Sequence, residues 1–106
     1  MSKDIYDNIV DDIVNNKFPV LIYFFSTKLI IDSKALEFFN NLKNSKKNNI
    51  IIHTIDIDLN SKVLSEFEIT TIPAIICFKN NKEYFRFTGT QSKNQLSTIL
   101  YLAFYK

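Results

Sequence analysis

Apolar and polar positions follow two rhythms along this chain, and the rhythm switches several times. Ile5, Ile9, Ile13 and Val14 recur at helical spacing with Asp and Asn between them, which predicts an amphipathic helix over residues 4–16. Ser2 or Asp4 can cap it, Asn15-Asn16-Lys17 ends it, and Pro19 blocks continuation. Val20 to Phe25 is an unbroken apolar run rich in branched and aromatic residues, as a strand buried on both faces requires. From Leu29 to Leu42 the spacing is helical again, with Ala35, Phe38, Phe39 and Leu42 on one stripe and Asp32 or Ser33 suited to the first turn.

The polar tract Lys43 to Asn49 predicts a loop, and Ile50 to Leu59 a strand whose end alternates Ile55, Ile57 and Leu59 with Asp56 and Asp58. Asn60-Ser61 opens a short helix containing Val63, Leu64 and Phe67. Pro73 lacks the N–H that a ladder needs, so it must stand at the mouth of the next strand, Ala74 to Lys79, with Ile72 held extended before it. Asn80-Asn81 predicts a tight hairpin into Glu83 to Phe87, since asparagine tolerates positive φ. Gly89, the one glycine, breaks that strand, and Ser92 caps a last helix carrying Leu96, Ile99, Leu100, Ala103 and Phe104. The order is helix, strand, helix, strand, helix, strand, strand, helix: a parallel crossover followed by an antiparallel hairpin, hence an α/β fold.

Composition narrows the function classes. With 106 residues, 46% apolar and including ten Phe and five Tyr, the chain is expected to form a single domain over 1–106 with an unstapled core. Thirteen basic and eleven acidic residues nearly balance, and Arg86 is the one arginine, so no nucleic-acid footprint is present. One cysteine, Cys77, excludes an internal disulfide and an all-cysteine zinc site; one histidine, His53, leaves no metal cluster, and no cofactor or metal is expected. The polar start Met-Ser-Lys-Asp shows no leader, and no apolar run has membrane-spanning length, so no membrane insertion and a cytoplasmic location are expected.

With that order in hand, the chain resembles the thioredoxins. The carrying residues are Val20-Leu-Ile-Tyr-Phe-Phe25, Asp56-Ile-Asp58, Ile69-Thr-Thr-Ile-Pro73, Phe78-Lys-Asn-Asn81, Thr88-Gly-Thr90 and Ser92-Lys-Asn-Gln-Leu96. Each is weak alone; together, in a gapless register over residues 5–105, they are specific. The resemblance implies a central mixed sheet of four to five strands with helices on both faces. It also implies that the Ile72–Pro73 bond, which local sequence alone reads as trans, is the family's cis proline.

The departures matter more than the matches. Where the family carries Trp-Cys-Gly-Pro-Cys-Lys, this chain has Lys28-Leu-Ile-Ile-Asp-Ser33, so Leu29, Ile30, Ile31 and Asp32 replace the redox motif and no catalytic residue remains there. Thiol–disulfide exchange needs a thiolate, which neither Leu29 nor Asp32 can supply. Tyr23 stands where the family has a buried Asp and Thr54 where it has the paired Lys, so the proton relay is replaced as well. A buried Tyr23 must satisfy its hydroxyl, and Thr54 on the neighbouring strand is the expected partner. Only Met1 to Lys3 is left for the family's N-terminal edge strand, so the sheet can expose an edge.

Cys77 is expected to be an inert core thiol, His53 a structural histidine with no evident Asp or Cys partner, and Asp32 a helix-terminus residue. Leu29-Ile30-Ile31 are expected at the surface; the competing expectation tucks two of them into the core. The resemblance implies that client segments are held through backbone groups of the residue before the cis proline, here Ile72, as extended chain. The expected docking face is therefore Lys28, Leu29, Ile30, Ile31, Thr71, Ile72, Pro73, Thr88, Gly89 and Thr90, for a protein partner, an extended peptide or a second copy. Two alternatives stay open: a structural subunit or homodimer using the N-terminal edge, and a monothiol redox enzyme using Cys77.

Overall fold

Alternation of side chains along the strands sorts the core into two layers, and every other feature of the fold follows from it. The computed structural model describes residues 4–29, 33–45 and 49–105. Its elements are α1 (Ile5–Asn15), β1 (Val20–Phe25), α2 (Ser33–Asn44), β2 (Ile51–Asp56), α3 (Lys62–Glu66), β3 (Ala74–Lys79), β4 (Lys82–Thr88) and α4 (Lys93–Tyr105). The strands form one mixed sheet in the order β2-β1-β3-β4, with β2 parallel to β1 and the other two neighbour pairs antiparallel.

Val20, Ile22 and Phe24 of β1 with Ala74 and Ile76 of β3 point to one face, where they meet Ile9 of α1, Val63 of α3 and Phe67. Leu21 and Tyr23 with Ile75 and Cys77 point to the other, where they meet Ala35 and Phe39 of α2 and Leu96, Ile99 and Ala103 of α4. Both central strands are thus covered on both sides, as the unbroken apolar run of β1 demands. β4 reads differently: its residues are exposed or half-buried.

Local chemistry fixes the ends of the elements. Asp4 Oδ1 accepts from the Asp7 N–H at 2.9 Å and caps α1. Ser92 and Gln95 bond reciprocally, Gln95 N–H to Ser92 Oγ at 3.1 Å and Ser92 N–H to Gln95 Oε1 at 2.7 Å, a capping box that starts α4. Asn80 and Asn81 take φ of 53° and 65°, the left-handed pair that a two-residue hairpin needs.

Three expectations are corrected. β2 stops at Asp56 instead of running to Leu59, because the Asp58 N–H bonds Asp56 Oδ1 at 3.0 Å and the Asn60 amide bonds the Asp56 carbonyl at 3.1 Å. These bonds fold residues 57–59 into a turn and leave Leu59 81% exposed. α2 continues through Lys43 to Asn44, shortening the predicted loop, and β4 extends one residue past each end of its expected span. Among the described residues the sheet has four strands with β2 at one edge; Met1 to Lys3, the expected edge segment, lie outside them.

Candidate docking face

The loop after β1, the connection entering β3 and the loop leaving β4 come to the same end of the sheet, because β3 runs antiparallel to both of its neighbours. Phe24 pairs with Ala74 and Ala74 with Thr88, so Ser26 to Leu29, Thr71 to Pro73 and Thr88 to Thr90 are delivered side by side. The Gly89 N–H donates to the Pro73 carbonyl at 2.8 Å and ties two of these segments together. Gly89 sits at φ +86°, a conformation that favours glycine, and the Ile72–Pro73 peptide is cis. Neither the N–H nor the C=O of Ile72 has a partner among the described residues.

The third segment is held by a side chain that sequence reasoning did not single out. Asp58 Oδ2 accepts from Ser26 Oγ at 2.7 Å, from the Lys28 N–H at 3.0 Å and from Thr27 Oγ1 at 3.4 Å. Ser26 Oγ in turn accepts from the Lys28 and Leu29 N–H groups, each at 3.2 Å, and Thr27 Oγ1 also donates to Asp56 Oδ2 at 3.0 Å. The Ser26 hydroxyl first, and then the Lys28 N–H, hold the Asp58 carboxyl below its ordinary range. A findable signal existed: β1 and β2 are parallel with Phe25 opposite Asp56, so Ser26-Thr27 and Asp56-x-Asp58 leave neighbouring strands at the same level.

Of the residues expected on this face, Lys28, Leu29, Thr71, Thr88 and Thr90 are exposed, Leu29 by 54%. Ile72, Pro73 and Gly89 are half-buried, and the Ile72 side chain packs against the α1–α3 layer of the core, so Ile72 presents backbone more than side chain. Ile30, Ile31 and Asp32 lie outside the described residues.

Tyr23 and Thr54 are register partners, and the Thr54 hydroxyl donates to Asn40 Oδ1 of α2 at 3.4 Å. Tyr23 stacks its ring on Phe39 and Phe25, with centroids at 4.9 and 5.7 Å. His53 does have an acidic partner, Asp12 of α1, with Nε2 and Oδ2 2.8 Å apart. Their separation of 41 residues hid the pair, which joins α1 to the edge strand.

Cys77 is fully buried, and burial pushes its thiol up to about 12. A thiol held protonated and out of reach is a poor nucleophile. The described residues contain no group of three or more His, Cys, Asp or Glu placed to hold a metal, and no helix long and apolar enough to cross a membrane.

The family model described as Thioredoxin matches residues 1–101. The chain belongs to the thioredoxin family. It is 27% identical over 94 residues to the chloroplastic thioredoxin Y2 of Arabidopsis thaliana, a match covering 89% of this chain and 56% of that protein. It is 24% identical over 85 residues to the bifunctional thioredoxin reductase/thioredoxin of Mycobacterium leprae, covering 80% of this chain but 19% of that protein. The chain therefore spans between a fifth and somewhat over half the length of these relatives. Among solved structures, an Entamoeba histolytica thioredoxin mutant superposes with a TM-score of 0.78 at 22% identity, covering 92% of this chain and 93% of that one. Within the thioredoxin fold this chain has a single cysteine, so the family's Cys-x-x-Cys motif is absent.

Proposed function

We propose that residues 1–106 form a redox-inactive thioredoxin-like domain that binds a protein or extended peptide through the end of the sheet where the redox motif used to lie. The docking face comprises Lys28, Leu29, Ile30, Ile31, Thr71, Ile72, Pro73, Thr88, Gly89 and Thr90, and the domain works in the cytoplasm without a cofactor. The observation that carries this reading is the Ile72 backbone: its N–H and C=O have no partner among the described residues and stand between two exposed loops. An extended segment can take up both groups as an added strand, with Leu29 supplying apolar contact. The loss of thiol chemistry is supported by the burial of the remaining cysteine, which raises its pKa.

Two measurements test this. In a dithiothreitol-driven insulin reduction assay the wild-type protein should give no turnover above the uncatalysed rate; turnover abolished by Cys77→Ser would establish the monothiol enzyme instead. In capture from native lysate, Leu29→Asp should lose the bound partner while the melting temperature stays unchanged, because Leu29 is over half exposed. Retention of every partner by Leu29→Asp would move the docking face elsewhere.

A second reading, a homodimer or structural subunit joined at the sheet edge, is favoured by one observation. Ile51 and Ile57 donate to the Pro19 and Phe25 carbonyls, so odd-numbered positions of β2 face β1. Ile52, Thr54 and Asp56 therefore turn their backbone groups outward along an edge that no strand covers among the described residues. Sedimentation equilibrium decides it: a dimer dissociated by Thr54→Pro, which removes an outward N–H without touching the β1 ladder, supports edge pairing.

A further inference from the structure

Between α1, the α3–β3 connection and the β3–β4 hairpin lies a groove of about 350 Å³ that the docking face does not use. Its base is apolar and contiguous. Tyr6 meets Phe67 edge-on at 5.3 Å between ring centroids, Phe67 meets Phe78 at 6.2 Å, and Val10, Ile13 and the half-exposed Val14 continue the surface along α1. The groove occupies the Asn81–Glu83 end of β4, whereas the docking face lies at the Thr88 end.

The rim is charged, and the charges do not cancel. Arg86 donates from Nε and Nη2 to the two Glu83 carboxylate oxygens at 2.9 and 2.7 Å, and from Nη1 and Nη2 to the Glu68 and Phe67 carbonyls at 3.0 and 3.1 Å. Those bonds engage four of its five N–H groups, and the Arg86–Glu83 pair is neutral. Glu66 and Glu68 also line the groove; Glu68 lies in the field of Arg86, and neither carboxylate forms a salt bridge among the described residues. Three carboxylates and one guanidinium therefore line a groove with an aromatic base, leaving its rim with an excess of negative charge.

We propose that this groove is a second docking site, for a basic apolar peptide segment. One aliphatic or aromatic side chain of that segment would seat on Tyr6, Phe67 and Phe78, and flanking Lys or Arg would reach Glu66 and Glu68. Charge complementarity selects the cationic partner, since an acidic segment would meet like charge on the same rim. The apolar base supplies area, while the rim supplies sign and register.

The test uses the ¹⁵N-labelled full chain and two acetylated, amidated peptides with a central Phe between Leu residues, flanked in one by Lys and in the other by Glu. The Lys peptide should move the amide resonances of Val14, Glu68, Asn81 and Arg86 and leave those of Thr71 to Ala74 in place. Its affinity should fall with added salt. Glu66→Gln with Glu68→Gln should weaken it about fivefold, the scale of two exposed charge contacts. Val14→Ser should weaken it without changing the salt dependence. Equal binding of the Glu peptide, absence of binding by either at millimolar concentration, or shifts confined to residues 71–74 and 88–90 would overturn the proposal. Because the two sites occupy different ends of β4, either can fail while the other stands.

Discussion

At the loop end of the sheet a carboxylate, Asp58, gathers donors from the turn that follows β1; beside the groove a guanidinium, Arg86, gathers acceptors from the turn that precedes β3. Both residues fasten irregular backbone onto regular structure, and both do it with several hydrogen bonds from one charged group. They differ in reach. Both are half-buried, but Arg86 reaches across between α3 and β4, whereas Asp58 holds a turn only two strands' width across. A cross-link between layers should matter to the whole fold, and a clamp on an exposed turn only to that turn. Substitutions can break this contrast if it is wrong.

The largest effect belongs to Arg86. Arg86→Met keeps the stem but strands the Phe67 and Glu68 carbonyls and the Glu83 carboxylate, so stability should fall by about 2–3 kcal/mol, measured by urea unfolding. Glu68 sits at φ 54°, so the variant also releases a residue held in the left-handed region. Arg86→Lys should recover less than half, because an ammonium cannot span a carboxylate and two carbonyls as a planar fork does. A loss no greater than that of a surface charge would show that Arg86 decorates the groove without joining the layers.

An intermediate effect is expected at Gly89, which lies at the loop end but acts through backbone alone. A Cβ there would meet nothing within 4 Å, so Gly89→Ala isolates the cost of φ +86°. That cost is about 1–2 kcal/mol in unfolding free energy. A loss well above that would mean that the Gly89 N–H to Pro73 bond breaks as well, joining the loop end to the fold more tightly than the Arg86 comparison implies.

The central layers were legible in the sequence because burial writes itself into residue type. The continuous apolar run of β1 matches its bounds, and Leu96, Ile99 and Ala103 of α4 are buried as their spacing required. The Asn80-Asn81 turn was legible because few residues accept two positive φ values in succession. The end of β2 was not, because Ile57 and Leu59 continue the alternating pattern while the Asp56 and Asp58 carboxylates and the Asn60 amide compete for the same backbone. The partners of His53, Thr54 and Arg86 were hidden for a different reason. Each contact spans between 14 and 41 residues, except the Arg86–Glu83 pair, and no local pattern encodes it. At the candidate site, the missing cysteines were visible at once, and the Asp58 clamp needed the parallel register of β1 and β2 to be seen.

The smallest effect on global stability, and the sharpest on local structure, should come from Asp58. Asp58→Asn keeps the shape but weakens acceptance from Ser26, Thr27 and the Lys28 N–H, so the melting temperature should hardly move. Amide exchange at Lys28 and Leu29 should nevertheless quicken by about tenfold, as expected when a local opening loses its restraint. Acid supplies the same perturbation without mutation. The folded-state pKa of Asp58 is depressed, so its contribution is present above the unfolded carboxylate value and is lost as pH falls through the folded one. The Lys28 amide resonance should therefore hold steady through mild acid and shift only below the ordinary Asp range. The Arg86 guanidinium stays charged throughout, but Glu83, itself held below its ordinary range by the Arg86 hydrogen bond, protonates late as well. Both fastenings should thus survive mild acid. Early release of the Lys28 amide at a pH where the Arg86 side-chain signals are unchanged would show that the Asp58 clamp is weaker than its bonds to Ser26 and the Lys28 N–H indicate, and that the loop after β1 is ordered by something else.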